Sequence, residues 1–291
     1  MAAQNGWGSP GNRGLRRAWL RYGLIYGAVA LVLIGLLFPF YWMIVSAFQT
    51  ESAAFSTHPQ LWPGHFTLEN FSRVTGRSNF LTYFQNSIIV SVSTTIVVVI
   101  LACFGAYALA RLHFKGRNAF GITLLLLQMF PAVLLVIPLF IMLTQLKLVN
   151  TYAGLILAYI TGALPFTTWL LRGNFLSIPD SLEDSARIDG CTRIGALFRV
   201  VLPLAAPGLA AAAIFAFVLS WNEFLLAFIL VDKDAFRTLS VGMSAYIDEF
   251  MIDYTGLMAM AVVISTPVIA IFMFLQKYLI GGLTAGAVTG E

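Results

Sequence analysis

The apolar positions of this chain neither alternate nor form stripes; they run on unbroken. Six such runs, at residues 22–46, 86–110, 120–143, 153–171, 207–230 and 257–279, are separated by short polar segments. Each is long enough to cross a hydrocarbon layer of roughly 30 Å as a helix, a form that satisfies its own backbone groups in lipid. The pattern predicts an all-α integral membrane protein with six transmembrane helices. Pro131 and Pro138 interrupt the third run and predict a kink there. The first run exceeds the apolar core of a signal peptide and has no small-residue cleavage site, so it reads as an uncleaved span. Residues 1–21, rich in Gly and Arg, read as a frayed tail.

One segment breaks the pattern. Residues 181–208, SLEDSARIDGCTRIGALFRVVLPLAAPG, are charged and amphipathic. Pro179 can open a helix, and Ser181 with Asp184 has the spacing of a capping box. Glu183 and Arg187 stand at i and i+4, and Leu182, Ala186 and Ile188 give an apolar side. Gly190 is placed to end the helix in a left-handed conformation. Thr192 can cap a second helix through Val201, striped by Ile194, Leu197, Phe198 and Val201, with Pro203 and Pro207 closing it. The plain reading is an amphipathic connector resting in the headgroups. Asp180, Glu183, Asp184 and Asp189 argue otherwise, because such acids sit poorly against an anionic leaflet and suit a basic protein partner.

Composition agrees with the membrane reading. The 291 residues are 59% hydrophobic and 10% charged, against about a quarter charged for soluble domains, and mean hydropathy is +0.85. The net charge of +4 comes from residues scattered over short loops, with no basic patch interleaved with aromatics, so no nucleic-acid partner is expected. Cys103 and Cys191 are too few for a disulfide framework and read as reduced. Twelve of the 17 Lys and Arg flank one side: Arg13, Arg16, Arg17, Arg21, Arg111, Lys115, Arg117, Arg172, Arg187, Arg193, Arg199 and Lys277. Five flank the other: Arg73, Arg77, Lys147, Lys233 and Arg237. By the positive-inside rule both termini and the 181–208 segment are cytoplasmic, and membrane lipid is a partner. Outer loops then cover 47–85 and an acidic 231–256.

Polar groups inside the runs are costly and therefore informative. Glu223, beside Trp221 and Asn222, is the one acid well inside a run; on a continuous helix from Pro207 it stands roughly 24 Å up. It reads either as pathway lining or as a helix–helix contact. Gln128 and Asn86 are further pathway candidates. Thr161, Thr167 and Thr168 can bond back to their own helix. Gly23 and Gly27 form a G-x-x-x-G at the edge of the first span. Tyr41 and Trp42 suit an interface belt. His58, His65 and His113 lie in loops without a second ligand at metal spacing, so no metal site is expected. No nucleophile with a base and its orienting group appears, so no enzyme activity is expected either.

The segment LEDSARIDGCTRIGALFRVVLPLAAPG resembles the Glu-Ala-Ala loop of ATP-binding-cassette importer permeases, whose pattern is Glu-Ala-Ala, three residues, Gly, then Leu-Pro about a dozen residues on. Glu183, Asp184, Ser185, Ala186, Asp189, Gly190, Leu202 and Pro203 fill the matching places, with Ser185 departing from Ala and Asp184 from the commoner Glu or Ala. WNEFLLAFIL at 221–230, RTLSVGM at 237–243 and the tail GGLTAGAVTG at 281–290 are similar to the carbohydrate-uptake branch. The likeness runs from about residue 22 to 290 and points to the shorter, six-span subunit of maltose-type transporters.

The resemblance implies a tail at 1–21, a permease domain at 22–280 with a coupling-helix loop at 177–203, and a second tail at 281–291, in a bacterial or archaeal plasma membrane. Glu183, Asp184, Ala186, Asp189, Gly190 and Pro203 would couple to a cytoplasmic ATPase, with Glu183, the acidic start of the motif, meeting a basic residue there. Trp221, Asn222, Glu223 and Gln128 are candidate pathway residues. The implied partners are a second permease subunit, two ATPase subunits and an extracytoplasmic sugar-binding protein facing the outer loops. A plain surface loop is the alternative for 47–85. The implied function is half of the translocation pathway for a sugar. No cofactor belongs to this chain, and ATP and Mg2+ would bind the ATPase, since no G-x-x-x-x-G-K-[ST] occurs here. An ion-coupled transporter would show internal repeats and midplane charges; a membrane enzyme would cluster catalytic groups near one face. Neither pattern is present, and both would leave 181–208 without a role.

Overall fold

The computed structural model describes the backbone of residues 12–56, 58, 60–76, 79–244 and 253–287, with side chains from residue 19 to 278 within those ranges. Its elements are α1 (Asn12–Ala47), α2 (Glu51–Ala54), α3 (Glu69–Thr75), α4 (Phe80–Arg111), α5 (Arg117–Met129), α6 (Ala132–Gln145), α7 (Tyr152–Leu176), α8 (Asp180–Ile188), α9 (Arg193–Ala196), α10 (Leu202–Leu204), α11 (Ala206–Trp221), α12 (Leu225–Leu230), α13 (Leu239–Met243) and α14 (Tyr254–Ala287). No strand occurs among the described residues.

Four helices, α1, α4, α7 and α14, are long and apolar enough to cross a membrane unaided. The third and fifth runs differ from the straight or kinked spans expected. The third is broken at Pro131 into α5 and α6, which meet at 99°. Pro131 has no N–H to extend α5, and it drives Phe130 into an extended conformation (φ −74°, ψ 127°). Pro138, by contrast, lies inside α6 without ending it. The fifth run is broken after Trp221: Asn222 closes α11, Glu223 and Phe224 follow, and α12 begins. At its other end the run meets the charged loop at Ala205 with an 82° bend.

Two terminal expectations also change. Helix α1 already starts at Asn12, so the tail is helical from there, and residues 1–11 lie outside the described part. Helix α14 continues through Ala287, past the expected boundary at 281; residues 288–291, which include the end of the tail motif, lie outside the described residues, as do Arg77 and part of the acidic outer loop, 245–252.

The core is built on α4, α7 and α11. Where they meet, Ala102, Ala106, Ala163, Ala212 and Ala216 are fully or nearly fully buried, and small residues let the backbones approach closely. At one end Ala106, Tyr107, Ala110, Leu171 and Phe175 share a cluster with Leu197, Val201 and Ala205, so the charged loop packs into the same core as the spans. At the opposite end Val90, Leu143, Leu155, Tyr159, Leu230 and Val241 form a second cluster. The α6–α7 corner there uses two left-handed residues, Lys147 and Asn150 (φ 57° and 61°). Asn150 Oδ1 accepts the N–H groups of Asp232 and Lys233 at 3.0 and 3.1 Å, which clasps the corner to the chain beyond α12.

Candidate functional site: the charged loop and a cavity between broken spans

The loop has the helix–glycine–helix form its sequence predicts. Helix α8 ends in a Schellman arrangement: Cys191 N–H donates to the Ala186 carbonyl (3.0 Å) and Gly190 N–H to that of Arg187 (3.1 Å). Gly190 has φ +90°, a conformation that a side chain would strain. Thr192 caps α9, its hydroxyl accepting from Gly195 N–H at 3.1 Å. The helix then runs on through a π-helical stretch, Leu197–Val201, and the turn that holds Pro203. Pro203 has no N–H to offer the Arg199 carbonyl.

Three local expectations fail. The capping box does not form, because Pro179 takes the cap position and Ser181 falls inside the helix. Arg187 pairs with Asp184 (3.4 Å) rather than Glu183. The apolar stripe splits: Leu197 and Val201 are buried, while Ile194 and Phe198 stay exposed. Leu182 and Ile188 are exposed too, Ile188 at 85%.

Glu183 explains the second failure. It is only 8% exposed and turns into its own chain. The basic residue it meets is Arg111, the last residue of α4, with Nε 3.2 Å from Glu183 Oε2. The same guanidinium, itself 7% exposed, ion-pairs with Asp180 and donates to the Ile178 carbonyl at 2.7 Å. Tyr107, one turn earlier on α4, donates its hydroxyl to Glu183 and lies 3.2 Å from the Arg193 carbonyl. Breaking such a buried pair by removing one partner costs about 3–5 kcal/mol. The carboxylate left facing outward is that of Asp184, 64% exposed. Counted back from Gly190, the Glu-Ala-Ala spacing also puts the motif's acid on Asp184 rather than Glu183. Asp189 and Gly190 are exposed as well.

The two span breaks and α7 together line a cavity of about 240 Å³. Its polar lining is Gln128, Tyr159, Thr161 and Glu223, set among leucines. Gln128 Nε2 donates to the Gly162 carbonyl at 3.1 Å. Glu223 Oε1 accepts the Leu226 N–H at 2.9 Å, a free donor in the first turn of α12. The structure thus brings Gln128 and Glu223 together, but not their sequence neighbours. Trp221 is buried in the core, donating Nε1–H to the Ile264 carbonyl (3.0 Å) and stacking on Phe217 (5.6 Å). Asn222 is exposed and donates back to the Val218 carbonyl (2.8 Å). Asn86 is spent on the far end of the bundle, where it donates to the Ala235 and Arg237 carbonyls and accepts from Tyr152 (2.6 Å). Thr161, Thr167 and Thr168 bond back to the Ala158, Ala163 and Leu164 carbonyls, as expected. Gly23 and Gly27 face open space, so they mediate no packing among the described residues. Among the described residues no cluster of His, Cys, Asp and Glu is arranged to hold a metal.

Residues 99–284, which contain both the loop and the cavity's α7–α12 walls, match the family described as "Binding-protein-dependent transport system inner membrane component". The chain belongs to that family. It is 36% identical to the diacetylchitobiose uptake system permease protein DasC of Streptomyces coelicolor, over 92% of this chain and 98% of that protein. It is 38% identical to the trehalose/maltose transport system permease protein MalG of Thermococcus litoralis, over 92% and 96%. In fold it is similar to a bacterial ATP-binding-cassette transporter that imports alginate, with a TM-score of 0.73, 24% identity, and coverage of 93% of this chain and 99% of that one. This family permease is therefore a multi-pass membrane transport subunit.

Three residues that the structure places at the loop and the cavity are not singled out by the sequence. Arg111 was read only as a flanking charge and Tyr107 as part of an apolar run. Their i, i+4 spacing at the end of α4 was the available signal. Tyr159, whose buried hydroxyl has no partner among the described residues, gave no signal in a run of apolar neighbours.

Proposed function

We propose that the chain is one membrane-spanning subunit of an ATP-driven importer of a di- or oligosaccharide or a related compound, forming half of the translocation pathway and driven through its 177–203 loop. The loop is the observation that carries this reading. Two helices are set at a fixed angle by Gly190, buried on one side and presenting Asp184, Asp189, Ile188 and Ile194 outward. That is a rigid surface with apolar anchors and acids, suited to a cleft with basic residues in a cytoplasmic ATPase. Ala186 supplies the carbonyl that closes α8, and Pro203 lies in the turn leading into the fifth span. ATP and Mg2+ would be held by that ATPase. Diacetylchitobiose uptake and trehalose/maltose transport in the relatives support a carbohydrate cargo. A solved assembly of similar fold, in which an alginate transporter is held with its pentasaccharide-bound periplasmic protein, supports an external binding protein as a further partner. A second permease subunit would complete the pathway, and Gln128 and Glu223 would line it.

Purification of the tagged chain from its native membrane in mild detergent tests the reading. An ATPase should co-purify with the wild type, and its recovery should fall about tenfold, the equivalent of about 1.4 kcal/mol, for Asp184→Lys and for Gly190→Pro. Recovery of no ATPase, or equal recovery in all three, would return the segment to an interfacial connector.

A further inference from the structure

We propose that Arg111, assisted by Tyr107, is a positioning residue for energy coupling: it clamps the 177–203 loop to the end of α4, so that motion of the loop is delivered to the packed α4–α7 pair. This rests on the reading of the loop as the ATPase-docking element.

By chain connection the loop is attached only to α7 and α11. Both attachments are weak points for transmitting force. Pro179 is extended (ψ 131°), with no helical hydrogen bonds carrying α7 into α8. Ala205 is the site of the 82° bend into α11. A loop held by those two points alone would swivel when pushed. The chain supplies a third attachment from a helix that is not its neighbour in sequence. Arg111 grips Ile178 just before α8, and Asp180 and Glu183 in its first turn. Tyr107 holds Glu183 and reaches the Arg193 carbonyl on the far side of Gly190. One turn of α4 therefore fixes both helices of the loop, including the hinge between them. Beneath it, Leu197 and Val201 seat in the apolar cluster formed by Ala106, Tyr107, Ala110, Leu171 and Phe175.

Burial separates this role from docking. Arg111 is 7% exposed on its side chain, so a protein bound to the loop's outer face meets Asp184 and not Arg111. Burial also shields the Arg111–Glu183 contact from salt, so that part of the clamp keeps its strength at physiological ionic strength, whereas Asp180, 77% exposed, and the exposed Asp184–Arg187 pair are screened. The guanidinium donates two hydrogen bonds, to Asp180 and the Ile178 carbonyl, while its Nε stays in ion-pair contact with Glu183, a spread of contacts that an ammonium cannot reproduce.

The test uses the whole transporter, purified from its native membrane, reconstituted in lipid vesicles and carrying Cys103→Ala and Cys191→Ser. Tyr107→Phe, Arg111→Lys and Arg111→Met are compared for ATPase co-purification, ATP hydrolysis with and without loaded binding protein, and uptake per ATP. Co-purification and basal hydrolysis should stay near wild type. Uptake per ATP should fall about fivefold or more in Arg111→Met, with Arg111→Lys and Tyr107→Phe between. A second variant, Arg111→Cys with Asp180→Cys, should regain uptake per ATP when bridged by a reversible bis-methanethiosulfonate spacer, and lose it again on reduction. A merely structural role predicts that all readouts fall together and that bridging restores none of them. That outcome overturns the clamp, as does wild-type uptake per ATP in Arg111→Met. If the wild type itself yields no ATPase, the docking reading fails and the clamp with it.

Discussion

Trp221 and Glu223 are two residues apart and do different work. Trp221 fills the space between α11, α4 and α14, beside Phe84 and Phe217, and ties its indole N–H to α14. Trp221→Ala should cost about 3–5 kcal/mol, read as a lower midpoint of thermal unfolding in detergent, with the KM for uptake unchanged. Glu223→Gln is the opposite case. The amide oxygen still accepts the Leu226 N–H, so stability should move by no more than about 0.5 kcal/mol. The cavity loses its only carboxylate, so uptake KM should change. A large drop in unfolding midpoint with unchanged uptake would make Glu223 a structural cap and remove it from the pathway. Gly190→Ala, at φ +90°, should weaken ATPase recovery by the strain of a left-handed non-glycine residue, about 1–2 kcal/mol, and Gly190→Asn by less.

At the scale of elements, the sequence made the extent of the spans legible but hid where they break. Runs of leucine and phenylalanine look alike whether a helix continues or stops, so α11, the Glu223 break and α12 read as one span. The polar pair Asn222–Glu223 was the visible mark of the break, but it reads equally as lining on a continuous helix. The kink at Pro131 was legible; its size was not, because 99° depends on what α7 offers each half. The loop was the most legible element, since Gly190, Thr192 and Pro203 act through local backbone chemistry. Its tie to α4 was illegible, since Arg111 lies more than sixty residues from its partners. The break itself makes a prediction. Pro131→Ala restores a backbone donor and frees Phe130 from its extended bias. The α5–α6 junction should straighten and the cavity should close. Gln128→Cys, labelled by a small thiol reagent in the wild-type background, should become protected in the Pro131→Ala background. Equal labelling in both would mean that packing, not proline, sets the bend.

For the whole molecule, burial and charge divide the chain along two axes. Across the bundle, α4 and α7 are the inner helices, while α1 is almost wholly uncovered within the chain and α14, packed through Ala259, Met260 and Ile264, is uncovered from about Ile269 on. Their exposed apolar side chains suit lipid or the face of another membrane subunit. Along the bundle, the charged loop at the Arg111 end of α4 and the Asp232–Arg237 segment near its Phe80 end lie on opposite faces. The excess of Lys and Arg on the loop's side predicts that this side is cytoplasmic. The burial of Arg111 does not alter the inference, because the bias acts on the chain as it inserts, before Glu183 and Asp180 are available to pair. His113, in the exposed corner after α4, and Lys233, exposed before α13, report the two faces. With Cys191→Ser to remove the loop thiol, His113→Cys in intact cells should resist a membrane-impermeant maleimide and react only after permeabilisation. Lys233→Cys should react in intact cells. The reverse pattern would put the loop outside, out of reach of any cytoplasmic ATPase, and would remove the basis for both the docking surface and the Arg111 clamp.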